Sequence, residues 1–380
     1  DNLSDPEIAL PGENFNTVLY TGDAATTQAV TGVGFSPGLL WLKGRSAATG
    51  NFLQDSVRGA TNRLQSDSTG IAVTDATYVA SLDSDGFTVG NNTDVNANTA
   101  TYVTWNWLAG GAPTADNDNT TGAMDANSVA LNGSLQAAYT PEGSPTIYPT
   151  KMSINTTAGF SIIEYDGNST AGATLPHGLT QAPDITFVKE LTYVDDWVSF
   201  AEPLGNTKAL FLNTNGAAGT HLTYWNNAGP SPTVITLGTD GKANSSRPHI
   251  MYAFHSVEGY SKVGSYEGNG NADGTFVYTG FKPAWIMVKN TPTGGSARNW
   301  AFVDSTRSYA NVANHTLAAN LASAESAFGG GESVFGASNM IDLLSNGFKL
   351  RENGFWGNTS GETYVYLAFS ESPFKTSNAR

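Results

Sequence analysis

The chain has 380 residues, 39% hydrophobic and only 13% charged, with a net charge of −15 and no cysteine. That composition excludes a disordered chain, a disulfide or thiolate–metal framework, and sequence-independent nucleic-acid binding, which needs clustered cations to displace counterions. No apolar run nears the roughly 18 residues of a membrane span, and the scarcity of cations also disfavours an anionic membrane surface.

Abundant Gly with common Asn, Thr and Ser suits short strands joined by many turns, and long amphipathic helical patterns are nearly absent. The first residue, Asp1, is not Met and no signal peptide is visible. The expectation is a processed or truncated product, or part of something longer.

Residues 1–13 carry two prolines and no alternation, and read as an N-terminal arm. A first β module is expected over 14–110. It opens on Thr17–Thr21, passes a corner from Gly34 to Pro37 into Leu39–Lys43, and closes on Tyr102–Trp107, where alternation puts Trp105 and Trp107 on one face. Residues 111–157 are rich in Asp, Asn, Thr, Ala and Pro with weak periodicity, and read as a linker and domain boundary. A second module spans 158–257. Its corner runs from Gly178 to Pro183 into Ile185–Lys189, and its closing strand is His249–Phe254. The step from Pro37 to Gly59 equals that from Pro183 to Gly205, which sets the register.

The third module, 258–374, holds the clearest statement of the repeat. Phe276 and Tyr278 alternate with smaller residues, Gly280 and Pro283 make the corner, and Trp285, Met287 and Lys289 alternate in the following strand. It closes on Thr363–Phe369, leaving 375–380 as a C-terminal tail. A small-residue insertion, Asn320–Asn339, has room for one short helix. The fold class is therefore all-β, three tandem sandwich- or jelly-roll-like modules, each large enough at ~100 residues to hold its own core. The short junction at Glu258–Gly259 predicts that modules two and three form a fixed pair, while the linker leaves the first free to rotate or dock elsewhere.

The ordered phrases NTVLYTG, VGFSPGLLWLK, DSVRGA, SDGFTVG, TAGFSIIEYDGN, VEGYSKVGSYEGNGNADGTFVYTGFKPAWIMVK, LSNGFKLR and TYVYLAFSESPFKTSNAR carry a further signal. Together they resemble a domain family of tailed-bacteriophage virion proteins, seen especially in tail and fibre proteins of marine and environmental phages. The resemblance covers Asn14 to Arg380 and implies a β-rich virion structural protein located on the phage particle. The family's activity is poorly defined, so it brings no catalytic residues. The second module departs from the pattern: Ala201-Glu202-Pro203-Leu204 stands where the first has Asp55-Ser56-Val57-Arg58.

The residues themselves offer little catalytic chemistry. Gly34-Phe35-Ser36-Pro37-Gly38 has the Gly-x-Ser-x-Gly spacing but leads into the strand-like Leu39–Lys43 instead of a helix, so it is a corner and not a nucleophile elbow. Gly268-x-Gly270 leads to Asp273 and strand-like residues, so it is a turn rather than a dinucleotide loop. The five histidines are scattered; His249 and His255 lie too far apart on a strand, at ~20 Å, to share a metal. Asp55/Arg58 and Asp304/Arg307 recur at equal spacing, which favours a local structural pair over a ligand site. Asp83/Asp85 and Asp195/Asp196 could in principle serve glycoside hydrolysis, but Asn346 replaces the turn carboxylate in the third module, which favours turn chemistry. Asp116 and Asp118 have calcium-loop density without the sixth-position Gly or twelfth-position Glu, so a solvated linker is the preferred reading.

Loop aromatics remain: Tyr193, Tyr224, Trp225, Phe355 and Trp356. Rings in polar loops suit stacking on sugars, against the plainer reading that they pack on a neighbouring module or subunit. The expected function is host attachment by a tail fibre or tail-tip protein without catalysis or cofactor. The alternatives are a capsid decoration or head-fibre protein and a polysaccharide-degrading tailspike. Expected partners are other virion proteins, two further copies in a homotrimer, and a host-surface glycan, with no nucleic acid and no membrane insertion.

Overall fold

The computed structural model describes residues 6–8, 10–294, 298–325, 341–353 and 357–376. The chain is all-β. The first module pairs a large antiparallel sheet, ordered Phe15–Thr21, Thr101–Trp107, Leu39–Gly44, Asn51–Asp55, Asn62–Gln65 and Val73–Thr74, with a small sheet of Gln28–Thr31, Gly86–Val89 and Val79–Asp83. The third repeats this plan. Ser261–Glu267, Thr363–Pro373, Phe281–Asn290, Ala301–Asp304 and Leu317–Ala318 form its large sheet; Phe276–Tyr278, Gly347–Leu350 and Ile341–Leu344 form the small one. The repeated corner needs a left-handed residue, and Gly34, Gly178 and Gly280 supply φ of 88°, 71° and 86°.

The second module is extended. Its large sheet has nine strands, and three of them, Val129–Leu131, Ser134–Leu135 and Lys151–Asn155, come from the segment read as a linker. Lys151–Asn155 pairs antiparallel with Phe160–Asp166, and Val129–Leu131 runs parallel beside it. The expected free hinge is therefore sheet. Its weak periodicity reflects strands of two to five residues separated by long turns. Most of the Asn320–Asn339 insertion lies outside the described residues.

Every central strand is buried on both faces. Leu40 and Leu42 face the first module's own small sheet, whereas Leu39 and Trp41 join a second, shared core. The same split recurs at Val188 against Ile185 and Phe187, and at Ile286 and Val288 against Trp285 and Met287. The three large sheets thus turn their inner faces to one common core. The equivalent residues Trp107, Phe254 and Phe369 meet in a triangle with ring centroids 6.3, 5.8 and 5.6 Å apart, so a pseudo-threefold axis passes between them. The void at this centre is about 10 Å³, at the lower limit for a single water, so the core is filled.

The seams repeat around the axis. Ala72 donates its backbone N–H to Leu191, Ala218 to Thr291, and Glu325 to Arg45, each at 2.8 Å, which closes a ring from first to second to third and back to first. A second ring runs the other way: Trp197 Nε1 donates to the Gln65 carbonyl at 2.9 Å, Trp300 Nε1 to Phe211 at 3.0 Å, and Asn51 Nδ2 to Ala318 at 3.1 Å. The first module is locked into this ring as firmly as the other two, which corrects the expectation of a fixed pair with a mobile neighbour.

Candidate functional site

The recurrent Asp–Arg pairs are seam clamps. Asp55 accepts from Arg58 Nε at 2.7 Å and from Tyr252 Oη of the second module, also at 2.7 Å, while Arg58 Nη2 donates to the same Tyr252 oxygen at 3.2 Å. Asp304 pairs with Arg307 and accepts from Trp105 Nε1 of the first module at 3.0 Å. At the remaining seam Ala201 and Leu204 replace the pair, the Glu202–Leu204 turn packs on Ser261–Glu267, and the position matching Tyr252 and Trp105 is Leu367. Acid and donor are lost together, so no buried charge is left unpaired.

Two other repeated groups are structural. Lys43, Lys189 and Lys289 occupy the last inward-facing position of equivalent strands, with their amines on the carbonyls of Thr49, Glu190 and Asn290. Burial lowers their pKa values to about 8, 8 and 7. Asn96, Asn244 and Asn358 are buried pins between loops: Asn96 bonds Asp23 N and the Ala25 and Gly90 carbonyls, and Asn244 bonds Asn168 N and the Thr170 and Gly238 carbonyls. Asn358 bonds Asn269 N and the Asn271 and Glu352 carbonyls in the same way.

The predicted stacking residues divide. Tyr224 and Trp225 are 3% and 1% exposed within the second module's core, which corrects their assignment as sugar platforms. The reason is architectural. This module's small sheet has two strands, not three, and the Gly238 N–H bonds the Tyr224 carbonyl as Gly90 bonds Tyr78, so Tyr224 and Trp225 fill the place of Tyr78 and Val79. Tyr193 is 53% exposed, with the Arg247 guanidinium 4.6 Å from its ring centroid. Phe355 and Trp356 lie outside the described residues.

Asp116 is paired with Lys151 at 2.7 Å, and the Asp118 N–H is held by Asp125 Oδ2 at 2.8 Å. No group of three or more potential metal-binding acids or histidines occurs among the described residues. Asp85 caps the N–H groups of Gly32 and Gly34, Asp83 accepts from Thr88, and Asp195 and Asp196 bind Lys242, so these carboxylates are engaged in turns and ion pairs. Burial raises Glu164 to about 7, against the pull of Lys151.

The surface that stands out belongs to the third module. Tyr193, Phe276, Tyr278 and Tyr309 are the exposed aromatics among the described residues, and three of these four are there. Phe276 and Tyr278 stand 45% and 56% exposed on an edge strand, with Val277 between them facing the core. Cross-strand register places Lys349 and then Asp342 beside Phe276, and Gly347 and then Leu344 beside Tyr278. Asp273 meets Lys349 at 2.5 Å, and Arg351 reaches Asp342 at 3.3 Å. A Cβ at Gly347 would sit 2.1 Å from the Val277 carbonyl, so this position stays bare and leaves the flank of Tyr278 open.

Beyond Tyr278 lies a recess of about 510 Å³, lined also by Glu258, Lys262, Pro6, Pro373 and Lys375. Glu258 and Lys262 are exposed and form no ion pair among the described residues. A smaller recess of about 350 Å³ flanks the second module's corner; its phenol, Tyr139, is raised to about 12 by burial and Glu142.

Sequence reasoning passed over Phe276 and Tyr278 because outward and inward aromatics alternate identically in a strand. Aligning the three small sheets separates them. The positions of Phe276 and Tyr278 are Ala29 and Thr31 in the first module and Thr174 and Pro176 in the second, so the fold itself requires no ring there.

No curated protein and no solved structure matches the chain. The DUF7483 family model, a domain of unknown function, matches twice, over residues 10–147 and 136–373, and the chain belongs to that family.

Proposed function

We propose that the chain is a non-catalytic structural protein of a tailed-phage particle that attaches the virion to its host. The observation that carries this reading is the outward aromatic pair of the third module, set on a scaffold whose three sandwiches share one filled core. A rigid body with an uncommitted surface suits an adhesion role, and the resemblance of its repeated phrases to virion proteins supports it. In this proposal other virion proteins are partners, and the particle, outside the cell, is its location. A homotrimer remains part of it, with contacts on the outer faces, because the inner faces are already buried within one chain.

Capsid decoration is the second reading. A single chain with pseudo-threefold symmetry matches a threefold lattice point, and that one observation favours it. Antibody labelling of intact particles separates the two: tail-tip label, with adsorption blocked by the antibody, is the expected result. Label confined to the head supports the second reading, and label on neither removes both.

A further inference from the structure

We infer that the outer face of the third module's small sheet binds a neutral, hydroxyl-rich glycan chain, with Phe276 and Tyr278 stacking on successive sugar rings. This deepens the attachment reading and rests on it. The two rings sit at i and i+2 on one strand, so their Cα atoms are about 6.7 Å apart on the same face, a step suited to consecutive pyranose rings. The opposite face of that strand is core, through Val277, so the rings are held on a rigid base rather than a loop.

The occupant follows from size and charge. Half-exposed rings of this class leave on the order of 200 Å² of aromatic surface, against about 800 Å² per partner in a standard protein interface. The rim beside the two rings is polar and balanced, with Lys349 and Arg351 offset by Asp273 and Asp342, and the recess beyond Tyr278 adds Lys262 and Lys375 with Glu258. An acidic polymer would meet as many carboxylates as cations beside the rings, whereas sugar hydroxyls both donate and accept and suit such a rim. The recess beyond Tyr278 is large enough to take a further sugar unit. Divergence points the same way: the two sister sheets show small or polar residues at these positions, with the same backbone pairing.

The test uses the whole chain and the double variant Phe276→Ala/Tyr278→Thr, which installs the first module's residues and so preserves the sheet. Maltohexaose, cellohexaose, laminarihexaose and xylohexaose are the neutral probes, an oligoguluronate is the acidic one, and binding is read by saturation-transfer NMR and titration calorimetry. The expected result is saturable binding of at least one neutral hexamer. In the double variant it should weaken at least tenfold, or about 1.4 kcal/mol, with an unchanged melting temperature, while Tyr193→Ala should bind as the parent does.

No binding by any neutral hexamer, equal binding by the double variant, or binding of the oligoguluronate alone overturns the inference. These measurements are independent of particle location. A tail-tip label without glycan binding removes this inference only, and glycan binding without virion label removes the attachment reading instead.

Discussion

Tyr252→Phe tests whether the three modules behave as one body. The substitution keeps the ring that faces Trp197 in the shared core and deletes one oxygen. That oxygen donates to Asp55 at 2.7 Å and accepts from Arg58 at 3.2 Å, all three groups being buried. Hydrogen bonds to charged groups are worth about 1.5–3 kcal/mol, and no water replaces the lost partner in a filled core. Unfolding entropy is about 2.1 cal/mol/K per residue, or roughly 0.8 kcal/mol/K for the whole chain acting cooperatively. The melting temperature should then fall by about 2–4 °C in a single calorimetric transition. A module of ~100 residues melting alone would have a quarter of that entropy and would fall by about 7–14 °C in its own transition. Resolved transitions, or no measurable shift, would refute the shared-core reasoning.

The three buried asparagines should be interchangeable in cost: Asn96→Ala, Asn244→Ala and Asn358→Ala each strand buried backbone groups and should lose about 1–3 kcal/mol in urea titrations. Stability should rise from about pH 7 toward pH 10. Lys43, Lys189 and Lys289 have folded pKa values of about 8, 8 and 7 against 10.5 when unfolded, so in that window the unfolded chain binds more protons and the burial penalty is relieved as pH rises. Above about pH 10 the trend should reverse, because burial pushes Tyr165 and Tyr260 upward and they keep protons that the unfolded chain gives up. Lys289→Met should flatten the rise; a slope unchanged in that variant would show the amine to be solvated in the folded state.

Much of each module was legible because strand alternation reports burial directly. Trp105 and Trp107 were placed on one face, and that face is the shared core. The arrangement of modules was not legible, because it depends on which of two buried faces looks at which neighbour. In Leu39–Lys43 both faces are apolar, and nothing in a continuous hydrophobic run marks one as facing its own small sheet and the other as facing two further modules. The linker misled for a related reason: strands as short as Ser134–Leu135 carry too few residues to show a period. Tyr224 and Trp225 looked like loop rings because the strand they replace is absent. The recurrence of Tyr78 and Tyr224 before equivalent glycines was the available clue.

The departure of the second module from the Asp–Arg pattern now has a physical cause, and it lies in a different module. Position for position, Asp55 and Arg58 serve Tyr252, and Asp304 and Arg307 serve Trp105, whereas Ala201 and Leu204 face a module that offers Leu367. Within one repeat the substitution looks like the loss of a motif. Around the ring it is a matched pair of changes, because an aspartate at 201 would meet no donor from Leu367 and a tyrosine at 367 would find no acceptor at Ala201. An unpaired buried carboxylate costs several kcal/mol, more than the hydrophobic contact that replaces it forgoes. Two seams with an Asp–Arg clamp and one without it also distinguish the three junctions from one another. A closed ring of similar modules needs such differences, since each inner face must find its own neighbour rather than the same face of another copy.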